Sequence, residues 1–292
     1  MKHLKYILLA IIATTILWSC SEEKLDSESI FDTTQEQMNS FDKWLYNNYT
    51  VPYNINFKYK FDDKESNNTY NLAPAKMEQS VALAILVKHL WVDAYGELLG
   101  NEFLAKYSPR LFHLIGSPAY NTSGSIVLGT AEGGLKVTLY NVNQLDVENP
   151  DIDELNYWYF KTMHHEFAHI LHQTKNYTTD FNLISASDYQ SSSWVNLSAS
   201  DALKMGFISP YASSESQEDF VELIAVYVTN TPSQWNSLLT AAGADGKAII
   251  LEKFEVVYDY LLGEWDIDLN DLRDIVNRRS SEVEDLDLQS LN

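Results

Sequence analysis

The sequence predicts an α+β fold, with a mixed or antiparallel sheet in its first part and a helical C-terminal half. Short strands with Gly and Pro punctuation, alongside two helical segments, mark the part up to about residue 150, and helical periodicity dominates from there on. No internal repeat and no long Pro/Gly/Ser linker divides the chain after about residue 32. Among the 292 residues, 45% are apolar, and the 12 Phe, 7 Trp and 18 Tyr are enough to build a packed core. Twenty Lys and Arg face 41 Asp and Glu, a net charge of -21. That balance argues against a nucleic-acid partner, whose phosphates require clustered cations. One cysteine excludes a disulfide framework and any Cys-rich metal module.

In chain order, residues 1–19 come first, MKHLKYILLAIIATTILWS, with Lys2 and Lys5 as a basic start and Ile7 to Trp18 almost wholly apolar. Twelve such residues are too few for a bilayer core of about 30 Å, which takes about 20 helical residues, so an export signal is expected. Leu17-Trp18-Ser19-Cys20 resembles a bacterial lipobox, and the sole cysteine, Cys20, is expected to be the lipidated mature N-terminus. Residues 20–31 then form an acidic tether with Glu22, Glu23, Asp26 and Glu28, resembling those of outer-membrane lipoproteins displayed at the cell surface. The membrane would be met through this lipid alone.

The remaining chain, 32–292, reads as one unit with an α/β part at about 32–150 and a helical part at about 151–292. Phe41 to Tyr49 reads as a helix, and Ile55, Phe57, Tyr59 and Phe61 alternate with polar residues as a strand does. Ala73 to Leu99 reads as a long helix that Gly100 ends. Short strands follow in 111–142, the clearest being Leu135 to Tyr140 after Gly133-Gly134. That segment could lie at a sheet edge and accept an extended peptide as an added strand, or it could be internal. Helices are expected at 151–173, about 216–230, 246–262 and 268–279.

Four of the seven histidines fall within the nine residues His164 to His172, and His165-Glu166-x-x-His169 is the chemical core of that run. Residues four apart on a helix differ by about 40° and one turn of rise, so both imidazoles can reach one tetrahedral ion. Glu166 lies where its carboxylate could act on an activated water. Ile152, Leu155, Tyr159, Met163, Phe167, Ile170 and Leu171 form an apolar stripe opposite His165, which places the histidines outside the core face. His172 is about 10.5 Å of rise from His165, too far to share the ion, and is expected to support the site by hydrogen bonding. His164 sits about 100° from the metal face and is expected to be structural.

A third protein ligand is needed. The extended HExxHxxGxxH pattern of metzincins requires Gly at 172 and His at 175, where this chain has His172 and Lys175. Gluzincins instead take a Glu from a later helix. Glu218 and Glu222, one turn apart in Glu218-Asp219-Phe220-Val221-Glu222, fit that scheme, Glu218 as ligand and Glu222 as hydrogen-bonding support for a ligand imidazole.

HEFAH, followed by GFISPYASS and EDFVE and preceded by GTAEGGLKVTLYNVN at 129–143, resembles a family of bacterial zinc metallopeptidase lipoproteins, often associated with TonB-dependent nutrient importers. The resemblance spans roughly 32–280. It implies a gluzincin-like zincin fold of the lethal-factor type, Zn2+ as cofactor, Glu218 as zinc ligand, and Tyr211, seven residues earlier, as a catalytic aid. Val221 stands where that family usually has Ala. The expected activity is hydrolysis of a peptide or glycopeptide amide bond with Glu166 as general base. The competing readings are a non-catalytic metal-binding accessory of an importer, and a zinc amidase acting on glycopeptide or cell-wall crosslinks.

Overall fold

A computed structural model describes residues 37–291 apart from 122–125, 128, 133 and 134. The export segment, Cys20 and the tether lie outside the described residues.

Helix α1 (Ser40–Leu45) opens with a reciprocal cap, in which Asn39 Oδ1 accepts from Asp42 N at 2.8 Å and Asp42 Oδ2 accepts from Asn39 N at 3.1 Å. A π-helical turn (Tyr46–Thr50) and a short helical turn (Val51–Tyr53) follow, and left-handed Asn54 redirects the chain into β1 (Asn56–Lys58). The alternation in 55–61 correctly marks Ile55, Phe57 and Tyr59 as buried. Only three of those residues pair, because the strand's neighbour is itself short.

The long helix expected from residue 73 begins at Met77, since Pro74 is held in a bridge to Ile115 and Lys76 is extended. It runs as α2 (Met77–Val87), a π-helical turn (Lys88–Val92) and α3 (Asp93–Leu99). Gly100 stops it at φ 82°, a conformation that suits glycine. Helix α4 (Asn101–Tyr107) follows directly.

The main sheet contains β2 (Leu111–Leu114), β5 (Gly129–Glu132) and β6 (Lys136–Leu139) besides β1, in the order β1-β2-β6-β5. The first three run parallel and β5 is antiparallel to β6, so the sheet is mixed. This decides between the two readings of 135–140. That segment is internal, paired on both sides, and β5 forms the edge. A pair of short strands, β3 (Ala119–Tyr120) and β4 (Ile126–Val127), makes a separate hairpin.

Phe57, Phe112 and Val137 occupy one row of the sheet and face the core. Trp91 packs edge-on to Phe112 at 5.8 Å and to Phe167 at 5.1 Å, joining the sheet through the α2–α3 rod to the histidine helix.

That helix begins as α5 (Ile152–Leu155), passes through a π-helical turn (Asn156–Phe160) and continues as α6 (Lys161–Thr174). Its apolar stripe is buried as expected at Leu155, Tyr159, Met163, Phe167 and Leu171. The histidines, however, are not on an open face. His164, His165 and His172 are also buried, because later helices cover the side of α6 that the stripe leaves free. Gly129 at the start of β5 lies against α6 so closely that a Cβ there would sit 2.5 Å from Thr162 Cγ2.

The remaining elements are helical: α7 (Phe181–Ile184), a 3-10 turn (Ser191–Asn196), α8 (Ala199–Lys204), a 3-10 turn (Tyr211–Ser213), α9 (Ser216–Thr229), α10 (Pro232–Ala241), α11 (Gly243–Trp265) and α12 (Leu269–Ser281). Helix α10 was not anticipated, although Thr231-Pro232-x-Gln234 forms a capping box with Pro in the first turn. No helix among the described residues is long and apolar enough to cross a membrane.

Candidate metal centre

Helices α6 and α9 pack side by side and carry all the candidate ligands. His165 and His169 stand one turn apart on α6, their rings 4.9 Å between centroids. Glu218 lies in the first turn of α9, where the positive end of the helix dipole favours a carboxylate. Among the described residues, His165, His169 and Glu218 form the one group able to hold a metal, with ligand atoms all within 4.8 Å of one another. Glu218 Oε2 is 3.0 Å from His165 Nε2, and Glu218 Oε1 is 3.4 Å from His169 Nε2.

Zinc fits this donor set. Bonds of about 2.0–2.1 Å in tetrahedral geometry separate neighbouring ligand atoms by about 3.4 Å. The His169 contact matches that value and the His165 contact is shorter. Glu218 Oε2 is buried and faces His165 Nε2.

A second layer fixes the ligands. Glu222 Oε1 is 3.0 Å from His165 Nδ1. An ionised carboxylate only accepts, so Nδ1 carries a proton, which leaves Nε2 as the nitrogen available to an ion. The other oxygen, Glu222 Oε2, accepts from Ser209 Oγ at 2.6 Å and Lys161 Nζ at 3.2 Å. Burial raises the Glu222 pKa, but Lys161, His165 and Ser209 outweigh it and hold the carboxyl near 2. On the other ligand, His169 Nδ1 meets His172 Nε2 at 2.9 Å. Burial, with His169 beside it, lowers His172 to about 4, so it is neutral and can accept from His169.

Burial lowers the His165 pKa, but Glu218 and Glu222 reverse the effect and raise it to about 9. Burial raises Glu218, and hydrogen bonds and charge from the two imidazoles hold it well below the carboxylate range. The same carboxylates would favour a divalent cation held at His165.

Glu166 is half-buried on the turn that carries His165, and burial pushes its carboxyl up against the opposing pull of His165 and His169. The Tyr211 ring lies 5.9 Å from the His165 ring with 37% of its surface exposed. Burial and the neighbouring Glu218 push its phenol up, so it keeps its proton. His164 faces away from this group. It is fully buried, 3.0 Å from the Tyr95 hydroxyl through Nδ1, and burial lowers it to about 3.

The structure thus gathers His165, Glu166, His169, His172, Tyr211, Glu218 and Glu222 in one place. Two contributors were not singled out from the sequence. Ser209 falls inside the GFISPYASS segment, and its hydroxyl also accepts from Ala212 N at 3.1 Å, shaping the turn that carries Tyr211. Lys161 lies one turn before His165 on α6, a spacing that puts both on the side facing Glu222.

Residues 33–270 match the family described as "Putative zinc-binding metallo-peptidase". The chain belongs to that family. It is also similar to a crystal structure described as a putative zinc-binding metallo-peptidase from Bacteroides caccae ATCC 43185, at 43% identity and a TM-score of 0.76, over 90% of this chain and 100% of the other. No curated protein matches it. Family membership and the donor set agree on zinc as the cofactor.

Proposed function

We propose that this member of the metallopeptidase family is a surface-anchored peptidase with a gluzincin-like centre, in which His165, His169 and Glu218 hold zinc. The observation that carries the reading is the convergence of these three donors from two helices, with a half-buried Glu166, its carboxyl pushed up by burial, beside them. Zinc, when bound, polarises the scissile carbonyl and acidifies the attacking water.

The chain's own residues supply the rest. Glu166, its basicity raised by burial, takes the proton from water and delivers it to the leaving amine. Tyr211 keeps its proton and donates a hydrogen bond to the developing oxyanion. Glu222 and His172 keep the two ligand imidazoles in the tautomer and orientation the site needs. The free edge of β5, which rests on α6, offers backbone groups to an extended peptide as an added strand.

Cys20 would tether the domain to the outer membrane through lipid, facing outward, and components of a TonB-dependent importer would be its partners. The lipobox-like Leu17-Trp18-Ser19-Cys20 and the acidic stretch behind it support this placement.

Cleavage of a mixed peptide library by the zinc-loaded protein, abolished by a chelator, tests the activity. Glu166→Gln is expected to keep stoichiometric zinc and lose about 10²–10⁴-fold in kcat. Unchanged turnover in that variant would remove Glu166 as base. A zinc-loaded wild-type chain that cleaves no peptide would leave an accessory binding role, whereas cleavage of glycopeptide or cell-wall crosslinks alone would make it an amidase.

A further inference from the structure

Six of the seven tryptophans fall in described residues, and five of these, Trp44, Trp91, Trp158, Trp235 and Trp265, belong to or pack on the main hydrophobic core. Trp194 is the exception among the described residues. It lies half-buried on the 3-10 turn Ser191–Asn196, flanked by the 57% exposed Val195, and its indole sits edge-on to Tyr211 at 5.0 Å. Tyr211 in turn is 5.9 Å from the His165 ring. End to end, the indole is at most about 11 Å from the imidazole, the length of about three residues of extended peptide.

The turn is held in place by more than local preference. Ser191 adopts φ 48°, and the other non-glycine residues with positive φ, Asn54, Asn141 and Asp266, are all Asn or Asp, which tolerate that region. Serine gains little from it. What holds the segment is a tie to the Tyr211 turn, a hydrogen bond of 2.7 Å from Gln190 N to Ser213 O. The turns bearing Trp194 and Tyr211 are thereby joined at the backbone. Strained backbone that displays a large apolar side chain outside the core is characteristic of a binding element.

We infer that Trp194 and Val195 form a subsite that selects peptides with a bulky apolar side chain within three residues of the scissile bond. This rests on the peptidase reading and adds a substrate class to it. The apolar side chain of the substrate lies against the indole face and the Val195 methyl groups, while its backbone crosses the metal centre beside Tyr211. Charged side chains at that position gain nothing and lose hydration.

Binding to the zinc-loaded Glu166→Gln protein, followed by isothermal titration, tests this without requiring turnover. The probes are hexapeptides that differ only in carrying Phe, Leu, Ala or Asp at one position, scanned along the peptide. Phe and Leu peptides are expected to bind about tenfold or more tighter than the Ala peptide at one position, with Asp weakest. Adding Trp194→Ala should erase the preference and Trp194→Phe should keep part of it, with zinc stoichiometry unchanged. If Trp194→Ala loses zinc, Val195→Asp carries the same test. Binding without side-chain preference, no binding, or a preference that survives both replacements overturns the subsite. Absence of hydrolysis by the wild-type protein would defeat the peptidase reading through a separate measurement.

Discussion

Neighbouring residues of α9 carry two buried carboxylate systems that are built to different ends. Asp219 pairs with Lys253 of α11 at 2.7 Å, both side chains 1% exposed. Tyr189 donates to Asp219 at 3.0 Å, and the Lys253 ammonium also donates to Gly206 O at 2.8 Å. Burial pushes Asp219 up to about 6 and Lys253 down, and their attraction opposes both shifts. Glu218, one residue earlier, is shared between two imidazoles instead, Oε2 at 3.0 Å from His165 Nε2 and Oε1 at 3.4 Å from His169 Nε2. A carboxylate closed off by an ammonium and a phenol is a clamp, whereas one shared between two imidazole nitrogens has the donor set of a metal site. The contrast separates architecture from chemistry more sharply than charge or burial alone.

The largest expected effect tests the clamp. Lys253→Ala strands Asp219 in the interior and should cost about 3–5 kcal/mol in denaturant unfolding. Pairing Lys253→Met with Asp219→Leu should recover much of that loss, while the zinc affinity of the folded protein stays near wild type. A variant that lost zinc as steeply as stability would erase the distinction between the two systems.

Glu222→Gln tests the other side. The amide keeps the shape but weakens the hold on His165 Nδ1, so competition with a chromogenic chelator should show about 10–100-fold weaker zinc binding. Unfolding of the metal-free protein should change much less than for Lys253→Ala. Unaltered zinc affinity would reduce Glu222 to a packing group.

The smallest effect comes from a histidine outside both systems. His113 on β2 is fully buried near Lys58, Glu65 and Lys136, and it belongs to no metal-binding group among the described residues. Burial first, and then Lys136 and Lys58, lower its pKa below the usual 6.5. The unfolded chain therefore takes up a proton that the folded chain refuses, so stability is complete above about 6.5 and falls as pH drops below it. His164 and His172 add to the same slope. His113→Phe should flatten part of the decline between denaturation at pH 7.5 and at pH 5, and an identical pH slope would mean His113 is already paired.

How much of this was legible follows the range of the interactions involved. The α6 register, the Glu218–Glu222 spacing and the buried alternation at Ile55, Phe57 and Tyr59 are local periodicities, and local periodicity is what a sequence displays. The Lys253 partnership spans α9 and α11, and Ser209 reaches Glu222 from a turn; nothing in their neighbours announces either. Strand order was hidden for the same reason. Leu135–Tyr140 is a strand by its composition, but whether it is internal depends on β5 folding back beside it. The burial of the histidines likewise depends on α9, which is recognisable as a helix but not as the cover for that face.

The contact of Gly129 with Thr162 sets the gauge of the cleft. Because Gly129 has no side chain, the edge strand closes directly on the Thr162 side chain of α6, and a larger residue there would push the strand away from the helix that carries the imidazoles. On the proposed reading, a peptide added to that edge would meet the metal centre at a height this contact sets. Divergence in what such a protein accepts would then be written into the surrounding turns, leaving edge and metal unchanged.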